Sequence, residues 1–362
     1  MFEILRISTE GTAAPDDDDE KYQLRLFVGE QDHTSNALAT RIISQTRLSE
    51  KEEVQVGFTE CDPLHIETTK DRNFLVSTVQ RIYIIPSNER KAREFNPFRP
   101  TTSMYYLKMF NNLLFIFYPS GVGSVIDPTT GKEVHSIPYG LRPSLPVNSL
   151  ANTSRNVKAY GEKLYFIDNA NEIVELTIRE GKLEATKTNE KDVADFEIDE
   201  RGTLIIADEN NKLKYGEHSQ DFKEHLKEFR GLVTIAFRIN IGKYSKQGIL
   251  VSGARNNYKQ VLFSLNRQLS ILDTLEFSGS DSRTSQIITH IVPLPHKKVE
   301  FYLLNLYESE IALVGMVGAK PLHIQNMRIG SYIWSFGIRN DEIFMTYGGQ
   351  EMCSVKLIIK ND

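Results

Sequence analysis

The chain has 362 residues, of which 40% are hydrophobic and 25% charged, with a formal net charge of −5. This composition is ordinary for a globular protein and excludes a disordered, collagen-like or strongly basic nucleic-acid-binding chain. The longest wholly apolar runs are strand-sized, too short for a membrane-spanning helix, and two cysteines, Cys61 and Cys353, are too few for a disulfide framework.

Met1–Arg6 lacks the basic-then-apolar order of a secretory signal. These features predict an intracellular protein, cytoplasmic or nuclear, that is not inserted in a membrane. The sequon Asn152-Thr-Ser is a triplet common by chance and carries little weight. Residues 1–50 read as a strand-rich extension, with strand character over Phe2–Ser8, Tyr22–Val28 and Ala37–Ser44. Between the first two lies Asp16–Glu20, five consecutive acidic residues. Adjacent carboxylates repel and stay hydrated, which favours a solvated loop over a cation site or a tail for a basic partner. The run lacks the alternating ligand spacing of a calcium loop.

From Leu64 to Lys360 one unit recurs seven times, and residues 51–362 read as a single domain. Each unit has an apolar run, a polar link, a second apolar run, another link and a third run. The central runs start at Phe74, Leu113, Leu164, Leu204, Ile249, Phe301 and Ile343. They are short, rich in β-branched and aromatic residues, and bounded by polar clusters, as buried strands are. The preceding runs are Leu64–Thr69, Met104–Phe110, Val157–Tyr160, Ala194–Ile198, Leu232–Ile241, Ile287–Leu294 and Tyr332–Ile338. Most links between them have hairpin length and carry Gly, Asn or Asp, which tolerate positive φ. A third strand follows in each unit, as at Glu172–Leu176, and a more polar fourth in most, as at Lys182–Thr188 and Leu269–Phe277.

Four antiparallel strands in a unit of about 45 residues, seven times over, is the pattern of a seven-bladed, all-β propeller. The chain resembles the WD40-like and quinoprotein-like propellers, with its clearest local echo at Val125-Ile-Asp-Pro-Thr-Thr-Gly-Lys-Glu-Val. The Gly-His and Trp-Asp signatures of WD40 repeats are absent: the one Trp is Trp334, and no His follows a Gly. The last unit ends after its third strand, so Glu53–Phe58 is expected to pair with Ser354–Ile359 and close the ring. The alternative is an eighth blade built from that segment and the three N-terminal strands.

No Walker loop, Rossmann fingerprint, Gly-x-Ser-x-Gly elbow, Cys-x-x-Cys or helical His pair with Glu is present. The turn Gly121-Val-Gly-Ser has no following helix to present to a phosphate. His65, Glu67, Glu197 and His290 are the polar exceptions on otherwise apolar inner strands, too scattered to make a convincing catalytic or metal site. His218–Arg230 shows helical spacing of Phe222, Leu226 and Phe229 behind Ser219 as N-cap. No cofactor or metal is expected.

The leading expectation is a non-enzymatic interaction scaffold, a propeller subunit of a multiprotein complex with proteins or peptides as partners. Nucleic acid is not an expected direct partner. The rival is a lactonase-like propeller hydrolase, or a small-ligand binder, using the central channel. Two stretches carry interface-type anchors. One is the Pro-rich segment Ile137–Asn156 with Tyr139, Leu141, Arg142 and Leu145. The other is the basic stretch Arg90–Pro100 with Arg93, Phe95, Phe98 and Arg99. A third possibility is recognition of a modified peptide or nucleic acid through that basic stretch.

Overall fold

Each of the seven repeats becomes one antiparallel sheet whose strands follow sequence order from the inside out, except that the outermost strand of the last sheet comes from the N-terminal segment. The computed structural model describes residues 35–54, 65–78, 80–95, 106–118, 122–137, 157–168, 170–223, 234–238, 248–254, 260–277, 288–306, 309–330, 333–348 and 351–360. The sheets form the blades of a seven-bladed β-propeller. Their inner strands are His65–Thr68, Tyr106–Phe110, Val157–Tyr160, Val193–Ile198, Thr234–Phe237, Ile288–Leu294 and Ile333–Arg339, in blades I to VII. The second strands are Phe74–Ser77, Leu113–Phe117, Lys163–Ile167, Leu204–Asp208, Ile249–Ala254, Phe301–Leu306 and Glu342–Tyr347. Each starts within one residue of its expected position.

Burial explains why these strands are so legible. A second strand has a sheet neighbour on each side and a blade packed on each face. Phe74–Ser77 and Phe301–Leu306 are buried at every position. Outer strands have one wetted face, and Ile271–Phe277 alternates accordingly. Tight links follow local chemistry. Asn111 and Asn112 both take positive φ, 49° and 61°, as a two-residue hairpin turn of the primed type requires. Asp168, Asp199 and Asp208 each accept two main-chain N–H groups of the following turn through one carboxylate oxygen.

Ring closure uses the N-terminal segment, displaced from the expected register. Thr46–Leu48 pairs antiparallel with Leu357–Ile359, and Glu52–Glu53 with Cys353 and Ser354. Between them Ser49–Lys51 bulges out, while Ser49 N–H donates to Lys356 O at 2.8 Å. The closing strand is therefore Thr46–Glu53 rather than Glu53–Phe58, and residues 55–64, with Cys61, lie outside the described residues. The physical reason is the burial alternation: Thr46 and Leu48 point inward and Arg47 outward, and Val54 is buried at the far end. Closure thus draws on the last residues of the N-terminal extension.

Residues 35–44 form a helix, not the strand expected for Ala37–Ser44. Ala39 and Ile43, one turn apart, are buried against Leu303, Leu313 and Leu48, whereas Leu38 is exposed. Ile43 sits directly on Gly315; a Cβ there would lie 2.7 Å from it. A short Ala/Ile/Leu run satisfies both periodicities, and packing on blade VI selects the helix. With this helix and Thr46–Glu53 both committed to the seven-bladed ring, the eight-bladed alternative is excluded. The expected helix at His218–Arg230 is corrected in its first part. His218–Asp221 is the outer strand of blade IV, paired with Lys212–Tyr215, so Ser219 lies in a ladder rather than at an N-cap. Residues 224–230 lie outside the described residues.

Candidate functional site

The register of the hairpins sorts the inner-strand residues into two rows. Glu67, Lys108, Lys158 and Glu197 each stand two residues before the closing pair of their hairpin. Those pairs are Thr69–Asn73, Phe110–Leu113, Tyr160–Lys163 and Asp199–Thr203. At the same register, blades V, VI and VII carry Ala236, Val292 and Gly337. Two residues earlier is a second row: His65, Tyr106, Asp195, Thr234, His290 and Ser335.

The charges in the first row are paired between neighbouring blades. Lys108 Nζ lies 2.9 Å from Glu67, joining blades I and II. Lys158 Nζ lies 2.7 Å from Glu197, joining blades III and IV. The second row works the same seams through main chain. Asp195 accepts the N–H of Ile235 in blade V at 3.1 Å, and Ser335 accepts that of Ile66 in blade I at 3.1 Å. The four polar exceptions seen in the sequence therefore do not converge on one point. Two of them pair with lysines that sequence reading passed over, Lys108 and Lys158. Their signal was present: each is the one cation of its inner strand, at a fixed distance from the hairpin.

His65 has the most charged surroundings. Its ring lies 4.5 Å from that of Tyr106, its Nε2 is 3.7 Å from Glu67, and its Nδ1 is 3.3 Å from Ser335 Oγ. Burial pushes the imidazole below its ordinary pKa, against the opposing pull of Glu67. Burial raises the Glu67 carboxyl, but His65 and Lys108 outweigh it and hold the group below the usual carboxylate range. Burial pushes the Tyr106 phenol well above its ordinary value, with the Glu67 charge adding to it. Among the described residues no three His, Cys, Asp or Glu side chains stand together as a metal site.

The sign of the His65 shift gives a measurable consequence. Below about pH 6.5 an unfolded chain takes up a proton at position 65 that the folded chain resists, so stability falls with pH. The Glu67 contribution has the same direction: it is present above the ordinary carboxylate range and lost as the pH falls through the lowered folded value. Denaturant midpoints should therefore drop on moving from about pH 7.5 to about pH 5.5, and drop less in His65→Gln. A wild-type midpoint that does not move, or an equal drop in the variant, would refute this assignment.

Residues at the hairpin closures clasp the next blade. Arg339 of blade VII lies with its guanidinium carbon 4.8 Å from the ring centres of both Phe74 and Phe344. It donates to the carbonyls of Pro86 at 2.7 Å and Glu89 at 3.0 Å in blade I. Arg238 of blade V holds Glu300 of blade VI through two bonds, of 2.7 and 2.8 Å. Tyr160 of blade III covers Gly202 of blade IV, whose φ is +82° and where a Cβ would lie 2.4 Å from the ring.

Of the eight proposed anchor residues, two are described. Arg93 is exposed and pairs with Glu89 at 3.2 Å. Phe95 is half-buried and packs on the cluster that holds Leu75, Ile82 and Leu107. Arg90, at the start of the same stretch, bridges Glu52 of the closing strand and Glu342 of blade VII. Tyr139, Leu141, Arg142, Leu145, Phe98 and Arg99 lie outside the described residues. A groove of about 240 Å³ opens between blades VI and VII, with Leu294, Ile338, Leu357 and Ile359 in its wall.

The chain is a seven-bladed β-propeller of four-stranded antiparallel blades, closed by its N-terminal segment. No protein-family model matches it, and no curated protein matches it in sequence. Solved structures with the same architecture include the WD40 domain of Toxoplasma gondii coronin, with a TM-score of 0.60 at 9% identity, covering 88% of each chain. A chain of the mitotic checkpoint complex aligns with a TM-score of 0.59 at 8% identity, covering 87% of this chain and 94% of its own. Virginiamycin B lyase from Staphylococcus aureus aligns with a TM-score of 0.55 at 11% identity, covering 86% of this chain and all of its own. At these identities the likeness establishes the fold. These structures include a WD40 domain and a lyase, so the fold by itself does not choose a function. Among the described residues no helix is long and apolar enough to cross a membrane.

Proposed function

We propose that the protein is a non-enzymatic interaction scaffold, a propeller subunit of a larger protein assembly that works in the cytoplasm or nucleus. One observation carries this reading: Glu67, Lys108, Lys158, Glu197 and Asp195, charged groups of the described inner strands, are spent on the ring itself. Glu67–Lys108 and Lys158–Glu197 are blade-to-blade pairs, and Asp195 and Ser335 hold main-chain amides of the next blade. An enzyme using the channel needs such groups presented to a substrate, with geometry and pKa set for the reaction. Two of the fold's neighbours, a coronin WD40 domain and a chain of a checkpoint complex, support a role in protein association.

The partner surfaces proposed are the Ile137–Asn156 segment and the rim carrying Arg93 and Arg99. Affinity capture of the full chain at native expression, read by mass spectrometry, should recover stoichiometric partners. Tyr139→Ala with Leu141→Ala, or Arg93→Glu with Arg99→Glu, should reduce that capture while leaving the melting temperature unchanged. Loss of one interface anchor typically costs about 2 kcal/mol or more in binding. Phe95 is a poorer probe, because its half-buried ring supports the core. Capture of no stoichiometric partner, together with turnover in a broad lyase, lactonase and esterase screen, would favour the channel enzyme instead.

A further inference from the structure

The groove between blades VI and VII has an open strand edge along one side. Arg47 lies opposite Ile358, Ser49 N–H donates to Lys356 O, and Lys360 N–H donates to Gln45 O at 3.0 Å. Residues 356, 358 and 360 therefore turn their main-chain groups toward the closing segment. In an antiparallel ladder the alternate residues turn theirs the other way. Leu357 does so, its N–H reaching Asp341 O at 3.4 Å. Beyond that point the second strand of blade VII has ended: it begins at Glu342, opposite Lys356. The N–H and C=O of Ile359 thus point in the plane of the sheet past the Asp341 turn beside the groove, with no strand next to them among the described residues.

The walls and flanks specify what fits there. Leu294 and Ile343 are buried in the floor, with Ile338, Leu357 and Ile359 half-buried around them. Lys297 and Lys298 follow the lining residue His296 in the rim hairpin, and Lys360 follows Ile359. All three lysines are exposed, and none has an ion-pair partner among the described residues. Asp341 is the one carboxylate in the lining. An occupant has to supply main-chain groups for Ile359, an aliphatic side chain for the floor and negative charge for the flanking lysines. A helix keeps its main-chain groups to itself, whereas an extended segment offers them at every second residue.

We propose that this groove takes an extended, acidic and aliphatic segment of a partner protein, added as a short strand beside Ile359. The proposal deepens the interaction reading above and rests on it. The probe is a fluorescein-labelled ten-residue peptide of alternating valine and glutamate, titrated with the full chain and read by anisotropy. Saturable binding is expected, weakening with added salt. Lys297→Glu combined with Lys298→Glu should weaken it more than tenfold. Ile359→Pro should weaken it about tenfold, the loss of roughly one hydrogen bond. Proline is tolerable there because that N–H is outside the ladder, and unchanged melting temperatures identify folded variants. If Ile359→Pro does not fold, the exposed lysine pair decides alone. A peptide N-methylated at alternate residues should not bind.

Absence of saturable binding, or binding indifferent to the lysine reversal, would overturn the proposal. So would binding that appears only after residues 1–34 are removed, since the groove would then belong to the chain's own N-terminal segment. Failure here with stoichiometric partners still captured would leave the scaffold reading standing and sink only this surface.

Discussion

Deleting residues 1–54 should lower the melting temperature by roughly 5–15 °C or abolish folding. The segment contributes Ala39, Ile43, Leu48 and Val54 to the core, all less than 10% exposed. Burying one such side chain stabilises by roughly 1.5–3 kcal/mol for Val, Leu or Ile, and less for Ala. The loss is comparable to the whole stability of a typical domain, about 5–15 kcal/mol. With an unfolding entropy of about 2.1 cal/mol/K per residue, a loss of about 1 kcal/mol shifts the midpoint of a chain this long by roughly 1–2 °C. Deletion also bares the edge of Glu351–Ile359, a ready template for aggregation. The geometry supplies a rescue. Because Lys360 N–H already bonds Gln45 O, residues 45–54 moved behind residue 362 through a short turn would return as an ordinary outer strand. The moved segment should recover most of the lost stability. A deletion variant that melts within a few degrees of the intact chain would show that the ring does not depend on this closure.

The second large effect is expected at the seam between blades V and VI. Arg238 and Glu300 have side chains only 3% and 7% exposed. Arg238 also donates to Gly318 O at 2.7 Å, and Tyr302 O–H donates to Glu300 at 3.1 Å. Arg238→Ala leaves a carboxylate buried without its counter-charge, which costs about 3–5 kcal/mol. Glu300→Ala should cost a similar amount by stranding the guanidinium. Replacing both by Met should cost far less than either single change, because the desolvation of two ions is removed together. Denaturant midpoints of the wild type, Arg238→Met, Glu300→Met and the double Met variant close a cycle and give the coupling directly. Single variants that each lose under about 1 kcal/mol, or a double variant as weak as the sum of the singles, would show that the pair does not act as a unit.

Much of the candidate site was within reach of the sequence once the hairpins were placed. Glu67, Lys108, Lys158 and Glu197 stand at one register, countable from the turns. What the sequence did not reveal is that the acids and lysines sit on adjacent blades, pair by pair, because that depends on how each blade is turned against the next. The clasps of Arg238 and Arg339 escaped for a related reason. Their partners, Glu300 in one case and the carbonyls of Pro86 and Glu89 in the other, lie on other repeats 62 and about 250 residues away along the chain. No local pattern encodes such a contact.

The sequence by itself determined the sevenfold repeat and its second strands, while the choice of seven blades over eight waited on where residues 35–53 pack. A second strand is covered on both faces and is predominantly apolar, so its composition announces it wherever it stands. Tight turns announced themselves as well, since positive φ and carboxylate-capped turns demand Asn, Asp or Gly. Tertiary structure alone decided the elements whose own chemistry was balanced. Residues 35–44 form a helix because Ala39 and Ile43 meet blade VI on one face. His218–Asp221 is a strand because Lys212–Tyr215 offers it an edge. The closing register at Thr46–Glu53 follows from burying Leu48 and Val54 against the last blade. In each case the local preference was small, and packing energy supplied by residues far away in the chain made the choice.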